Sequence, residues 1–263
     1  SPDKIILGEV WEDASNKESY GVKRRYLLGQ QLDSVMNYPF KDAIISYMKG
    51  GSAQTFKDWI MTILENYPKP SIDCLMNFLS THDIMRAITK FGGDSAEGKN
   101  KDWQAEHYLS AEQYNQSKSI FKCAMVLQFF LPGVPCVYYG DEAGLQGYGD
   151  PFNRRCYPWE NEDTDLIEYV RYLSAMRKEL SEYILGKCEF VCCNDYIVSF
   201  LRYNKDEDKC VLIAMNKSND YYDLKLSGTI LSDAKLIKTY QGNVHDKTAS
   251  ISPKNFLVAD FEF

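Results

Sequence analysis

Apolar positions along this chain follow two different periods, and the change comes near residue 186. Ile5-Ile6-Leu7 is a continuous apolar run of the kind seen in a strand covered on both faces, so residues 4–10 are predicted as a first, parallel strand. Gly8 lacks a side chain and lets another group approach the backbone just before Glu9. A second apolar run, Leu32 to Asn37, meets Tyr38-Pro39-Phe40, where the proline is expected to stop the pairing. Two helical segments follow. In the later one Ser52 is the expected N-cap, and Phe56, Trp59, Ile60, Ile63, Leu64 and Tyr67 recur at helical spacing until Pro68. A third strand is predicted from about Cys74 to Leu79, and residues 92–108, rich in Gly, Lys and Asp, read as a long exposed loop. Ser110-Ala111-Glu112-Gln113 matches a capping box; it opens a helix carrying Ile120, Phe121, Ala124, Met125, Leu127 and Phe129, closed by Pro132-Gly133. Val134 to Tyr139 is the fourth predicted strand, and Leu166, Val170, Leu173, Met176 and Leu180 mark a final amphipathic helix.

From residue 186 onward the helical pattern stops. Ile197 to Tyr203, Cys210 to Asn216 and Tyr221 to Leu226 are β-type runs separated by polar turns such as Asn204-Lys205-Asp206-Glu207-Asp208, which predicts an antiparallel all-β domain over 186–263. The first 180 residues alternate strand and helix four times, which predicts parallel strands with right-handed crossovers. Four such units make half of an eight-unit barrel, here spanning 1–185, so the expected fold class is α/β followed by a β-sandwich.

Composition narrows the function. The chain is 44% hydrophobic and 25% charged, an ordinary balance for a globular protein. Its formal net charge of −7, without a basic run, argues against nucleic acid as a partner. No apolar stretch reaches the length of a membrane span. Eight cysteines without a C-x-x-C pair read as free thiols in a reducing compartment, which makes a cytoplasmic location the expectation. His82, His107 and His245 are too scattered to build a metal cluster with them, so no metal site is expected. The chain opens at Ser1-Pro2 without a methionine and reaches a buried-type strand at once. It therefore reads as part of something longer, with any export signal lying upstream.

Each predicted strand ends in polar groups: Glu9, Trp11, Glu12 and Asp13 after the first, Asn37 and Tyr38 after the second, Ser80-Thr81-His82-Asp83 after the third, and Gly140-Asp141-Glu142 after the fourth. Carboxylates gathered at one face repel one another unless a ligand or a reaction requires them. Glu9 alone is compatible with a catalytic acid and with a solvated or lysine-paired strand end. Two carboxyls on nearby strand ends, one protonated and one ionised, are what glycoside hydrolysis needs.

These segments carry a resemblance. Gly8-Glu9-Val10-Trp11-Glu12-Asp13-Ala14 resembles the general-acid segment of the α-amylase family of glycoside hydrolases, family 13, and is most similar to its neopullulanase, cyclomaltodextrinase and maltogenic-amylase branch. Gln31 to Phe40 resembles that branch's next strand, Phe78-Leu79-Ser80-Thr81-His82-Asp83 its histidine–aspartate segment, and Gly133 to Glu142 with Asp150-Pro151 and Arg154 its eighth strand and loop. Thr81 stands where an asparagine is common in the family. The resemblance covers nearly the whole chain. It implies strands 5–8 of a (β/α)8 barrel followed by the family's C-terminal domain.

By position, the resemblance implies Glu9 as general acid/base and Asp83 as the carboxylate that stabilises the transition state. His82 would hydrogen-bond the sugar being cleaved, Trp11 would stack near the leaving-group side, and Asp150 and Arg154 would hold glucose units beyond the cleavage point. Trp11 follows Glu9 by two residues on an extended backbone and so lies on the same side, where it could also desolvate the acid. Apart from the family, His82–Asp83 and Asp150–Arg154 read as structural pairs, Arg86 as a partner of Asp83 or a loop cap, and Asp141 and Glu142 as structural.

The family's nucleophile, an aspartate two residues after an arginine on the fourth strand, has no counterpart here, nor has its first-strand motif. The implied function is part of a retaining α-glucan hydrolase cleaving α-1,4, and to some extent α-1,6, bonds of maltooligosaccharides, cyclodextrins, pullulan or starch, inactive as this chain alone. The implied partners are the glucan and the N-terminal half of the barrel, present as another chain of a nicked enzyme, or failing that a second copy of this chain. Calcium ligands of the family lie largely in that other half, so no cofactor is expected in this one. A non-catalytic amylase-like scaffold and a transglycosylase of the same family remain the other readings.

Overall fold

Short parallel strands frame the first part of the computed structural model, which describes residues 4–263; the opening Ser1-Pro2-Asp3 lies outside the described residues. β1 (Leu7–Gly8) is followed by a hairpin, β2 (Glu18–Ser19) and β3 (Val22–Lys23), before the chain returns to pair β4 (Ser34–Val35) in parallel with β1. A parallel bridge from Met36 to Met76 continues the arc to β5 (Met76–Asn77), and β6 (Val134–Pro135) pairs in parallel with β5. The four strands thus lie side by side in chain order.

Three expectations change here. The first strand is shorter than residues 4–10, and Ile5, Ile6 and Leu7 are 64%, 57% and 41% exposed instead of covered. Among the described residues β1 has a strand neighbour on one side only, so nothing closes over that apolar run. A hairpin replaces the helix expected between the first two strands. Ser15 to Arg25 carries no apolar stripe, and Tyr20-Gly21, both at positive φ, turns the chain back on itself. The pairing of β4 ends with the Met36 bridge, before Pro39, which lies instead in the first turn of α1 (Tyr38–Met48), where its missing N–H costs nothing; Asn37 caps that helix by accepting from the Phe40 N–H at 3.3 Å.

α2 (Ala53–Asn66) is capped by Ser52 as predicted and buries Phe56, Ile60 and Ile63, but leaves Trp59 on the solvent side. α3 (Lys69–Asp73) leads into β5, and α4 (Ala87–Gly92) follows it. The region read as one long loop contains α5 (Lys101–Glu106), held by its Asn100 cap and burying no residue. α6 (Ala111–Phe130) opens with the predicted capping box, Gln113 N–H to Ser110 Oγ at 3.2 Å and Ser110 N–H to Gln113 Oε1 at 2.9 Å, and α7 (Thr164–Glu179) is capped by Asp163. Among the described residues no helix is long and apolar enough to cross a membrane.

The remaining strands are β7 (Cys188–Cys193), β8 (Ile197–Tyr203), β9 (Lys209–Asn216), β10 (Tyr222–Lys225), β11 (Lys235–Gln241), β12 (Asn243–His245), β13 (Thr248–Ile251) and β14 (Asn255–Glu262). They form two antiparallel sheets, ordered β11-β14-β9-β8-β7 and β10-β13-β12. Every residue of β8 is buried because both faces of the larger sheet are covered. Val198 and Phe200 join the helices around Phe121 and Leu127, while Ile197 and Leu201 pack with Leu224 and Ile251 of the smaller sheet. Two cations strap the sheet to the helices: Arg202 donates to the Phe130 carbonyl at 2.9 Å, and Lys217 donates to the Tyr47 carbonyl at 2.8 Å while lying over the Tyr47 ring.

Candidate active site

The arc brings its strand ends to one rim. Gly8 stands where a Cβ would meet the Leu32 side chain at 2.3 Å, the close approach expected at that position, and β1 then delivers Glu9 at its carboxyl end. The Glu9 Oε1 atom accepts two hydrogen bonds, from the Trp11 indole N–H at 3.1 Å and from the Tyr38 hydroxyl at 2.9 Å. Tyr38 is fully buried at the start of α1, stacked on Trp11 at 4.7 Å and edge-on to Phe78. Burial pushes its phenol above the ordinary range; the Glu9 and Asp83 charges add to this, against the opposing pull of Thr81. It is a proton donor to Glu9 at any physiological pH. Trp11 is half exposed and binds the carboxylate through its N–H, so it holds the acid in place instead of covering it.

Residues 81–83 leave β5 as a tight turn in which the Asp83 N–H donates to Thr81 Oγ1 at 3.2 Å. His82 Nε2 lies 3.3 Å from Asp83 Oδ2. One ligand atom from each of Glu9, His82 and Asp83 falls within 4.8 Å of the others, and all three residues are exposed. The same three atoms could surround a cation. However, Glu9 already receives two donors and Asp83 receives the Arg154 guanidinium at 3.2 Å, which competes with a metal for those oxygens. Arg154 also pairs with Asp150 at 2.9 Å and donates to the His82 carbonyl at 2.8 Å. The six residues singled out from the sequence therefore lie along one rim, as a Glu9–Trp11 pair facing a bonded set of His82, Asp83, Arg154 and Asp150.

The turn and its neighbouring strand ends are fixed from behind by buried polar residues, of which the sequence did not mark Asn153 and Asn77. Asn153, fully buried, donates to the carbonyls of Thr81, His82 and Ile84. Asn37 donates to Asn77 at 2.7 Å, and Asn77 to the Pro132 carbonyl at 2.9 Å, a buried polar chain linking three strand ends. Arg86, also fully buried, caps loop carbonyls, one of the two roles foreseen for it, and does not pair with Asp83. It pairs with Asp141 at 3.0 Å, donates to the Tyr139 and Asn153 carbonyls, and lies against the Tyr138 ring at 4.2 Å. Asp141 is structural, as read; burial pushes its carboxyl up to about 6 against the downward pull of Arg86. The available signal for Tyr38, Asn37 and Asn77 was a polar residue inside or just after an apolar strand run. For Asn153 no local signal exists.

Residues 1–221 match the family model described as alpha amylase, catalytic domain. A cyclomaltodextrinase of Geobacillus thermopakistaniensis (strain MAS1) is 31% identical over 229 residues, covering 86% of this chain and 34% of that protein. An amylopullulanase of Thermoanaerobacter thermohydrosulfuricus is 33% identical over 266 residues, covering 91% of this chain and 17% of that protein. The chain thus spans about a third or less of the length of these two curated relatives. Among solved structures, the cyclic α-maltosyl-(1→6)-maltose hydrolase of Arthrobacter globiformis, in complex with that sugar, superposes with a TM-score of 0.77 at 21% identity. It covers 99% of this chain and 50% of that one, a likeness of fold.

Proposed function

Because this chain belongs to the α-amylase family of glycoside hydrolases, we propose that it is the carboxyl-terminal portion of a retaining α-glucan hydrolase. In this reading residues 1–185 supply strands 5–8 of a (β/α)8 barrel and residues 186–263 the C-terminal β-sandwich. The bonds cleaved are α-1,4, with some α-1,6, in maltooligosaccharides, cyclodextrins, pullulan or starch. The curated relatives are cyclomaltodextrinases and amylopullulanases by name, which supports this substrate class.

Glu9 protonates the glycosidic oxygen as the bond breaks and later takes a proton from the attacking water. Trp11 and Tyr38 set its rotamer from one side and leave its second oxygen to face the sugar. Asp83, oriented by Arg154, meets the positive charge that develops on the ring. His82 hydrogen-bonds the sugar in the cleaved subsite, Trp11 stacks on the leaving-group side, and Asp150 and Arg154 hold units beyond it. Retention also requires a nucleophile carboxylate roughly 5–5.5 Å from the acid. That group would come from the N-terminal half of the barrel, pairing along the open sides of β1 and β6. The exposed Ile5, Ile6, Leu7 and Val134 fit such a partner.

The convergence of Glu9, His82 and Asp83 within 4.8 Å carries the proposal. It is tested by joining the chain to its N-terminal half and assaying maltotriose and cyclodextrin hydrolysis. Glu9→Gln should lower turnover by about 10²–10⁴-fold with the fold intact. Near-normal turnover by that variant would remove Glu9 from the reaction.

A further inference from the structure

A groove of about 410 Å³ runs from Trp11 between the β1 loop and the paired helices α1 and α2, lined by Trp11, Pro39, Asp42, Trp59, Thr62 and Ile63. We propose that it binds the continuing α-glucan chain on the leaving-group side of the cut, as an extended site whose far platform is Trp59. This rests on Glu9 being the acid, since the acid defines which side the leaving group departs toward.

Four observations support it. First, the groove is continuous with the rim: the same Trp11 that donates to Glu9 forms one groove wall. Second, Trp11 lies parallel to Tyr38 at an interplanar angle of 13°, so one indole face is occupied and the other is free for a ligand; the residue is 51% exposed. Third, Trp59 is 47% exposed on a helix whose buried stripe is complete without it, through Phe56, Ile60 and Ile63. Its indole and that of Trp11 line the same groove, so two flat apolar surfaces open onto one cavity. Fourth, the edges of the groove are polar. Asp42 is about half exposed beside Lys41, and the exposed Thr62 hydroxyl donates to the Asp58 carbonyl, leaving it able to accept from a ligand. Two aromatic platforms with hydroxyl and carboxylate groups at their margins match a sugar chain, which is apolar across its ring faces and rich in hydroxyls around its rim. The volume lies in the ~300–1,000 Å³ range of small-ligand sites.

The test titrates the 263-residue chain with maltohexaose, with maltose and cellohexaose alongside, following tryptophan fluorescence and heat, and checks each variant by circular dichroism. Maltohexaose should bind about tenfold or more tighter than maltose, Trp59→Ala should lose about tenfold of that affinity, and Trp59→Phe should keep most of it. Equal affinity in Trp59→Ala and the parent chain overturns the groove. So does acrylamide protection of Trp59, without sugar, once the N-terminal half is joined, because protein then occupies the site. The two readings separate cleanly. If Glu9→Gln abolishes turnover while Trp59→Ala binds normally, the groove falls and the acid stands; if Trp59→Ala weakens binding while Glu9→Gln turns over, a glucan site at Trp59 stands but its assignment to the leaving-group side falls with the acid.

Discussion

Two donors on one carboxylate oxygen, Trp11 and Tyr38 on Glu9, show what was and was not readable one side chain at a time. Glu9, His82 and Asp83 were visible because each sits where an apolar run ends in a charge. Tyr38 was seen only as a strand-end residue, since its partner is 29 positions away, and Asn153 was not seen at all, since its acceptors lie about 70 positions away. Arg86 shows the same limit: its charge was evident, its burial against Asp141 was not. Removing one member of a fully buried ion pair strands the other. Asp141→Ala should therefore cost about 3–5 kcal/mol in chemical denaturation. A cost below about 1 kcal/mol would mean Arg86 finds compensation elsewhere.

Among the helices, α2 and α6 were legible because period and cap agree, at Ser52 and Ser110, and α7 from its period alone. α5 was not, because six residues that bury nothing produce no periodic signal. The strands β1 and β6 were overestimated in length, since apolar runs outlast the two-residue pairings that form. The start of α7 makes a prediction about pH. Asp163 caps the helix, accepts from Tyr114 and pairs with Lys118; burial raises its carboxyl, and these partners more than offset that, holding it below the usual range. A carboxyl lowered on folding gives stability that is complete above its unfolded range, about pH 4, and is lost as pH falls through the lower folded value. Asp163→Ala should cost about 1–2 kcal/mol at pH 7 and flatten the acid limb of the stability curve, read by thermal melts between pH 2 and 7. An unchanged acid limb would show that the pairing contributes nothing to folding.

Helices and the larger sheet share one hydrophobic core: Phe121, Leu127, Phe200, Ile213 and Val258 belong to the same cluster. The change of period at residue 186 marks a change of secondary structure, and the core runs straight across it. Phe200→Ala should therefore destabilise by about 3–5 kcal/mol and lower helix and sheet melting together in one transition. Two separate transitions would show independent units. A chain ended at residue 185 should expose the faces of α6 and α2 that this sheet covers, and aggregate on expression; a soluble monomer of that length would contradict the shared core. Period reading could not foresee this, because it reports how each segment alternates and not what lies across from it. The placement of β14 has its own consequence. Last of the described strands, it lies inside the five-stranded sheet, paired with the edge strand β11 on one side and the central β9 on the other. Deleting residues 255–263 would leave β11 without a strand partner and β9 with a bare edge, so the loss of this one strand would unseat the sheet from both sides.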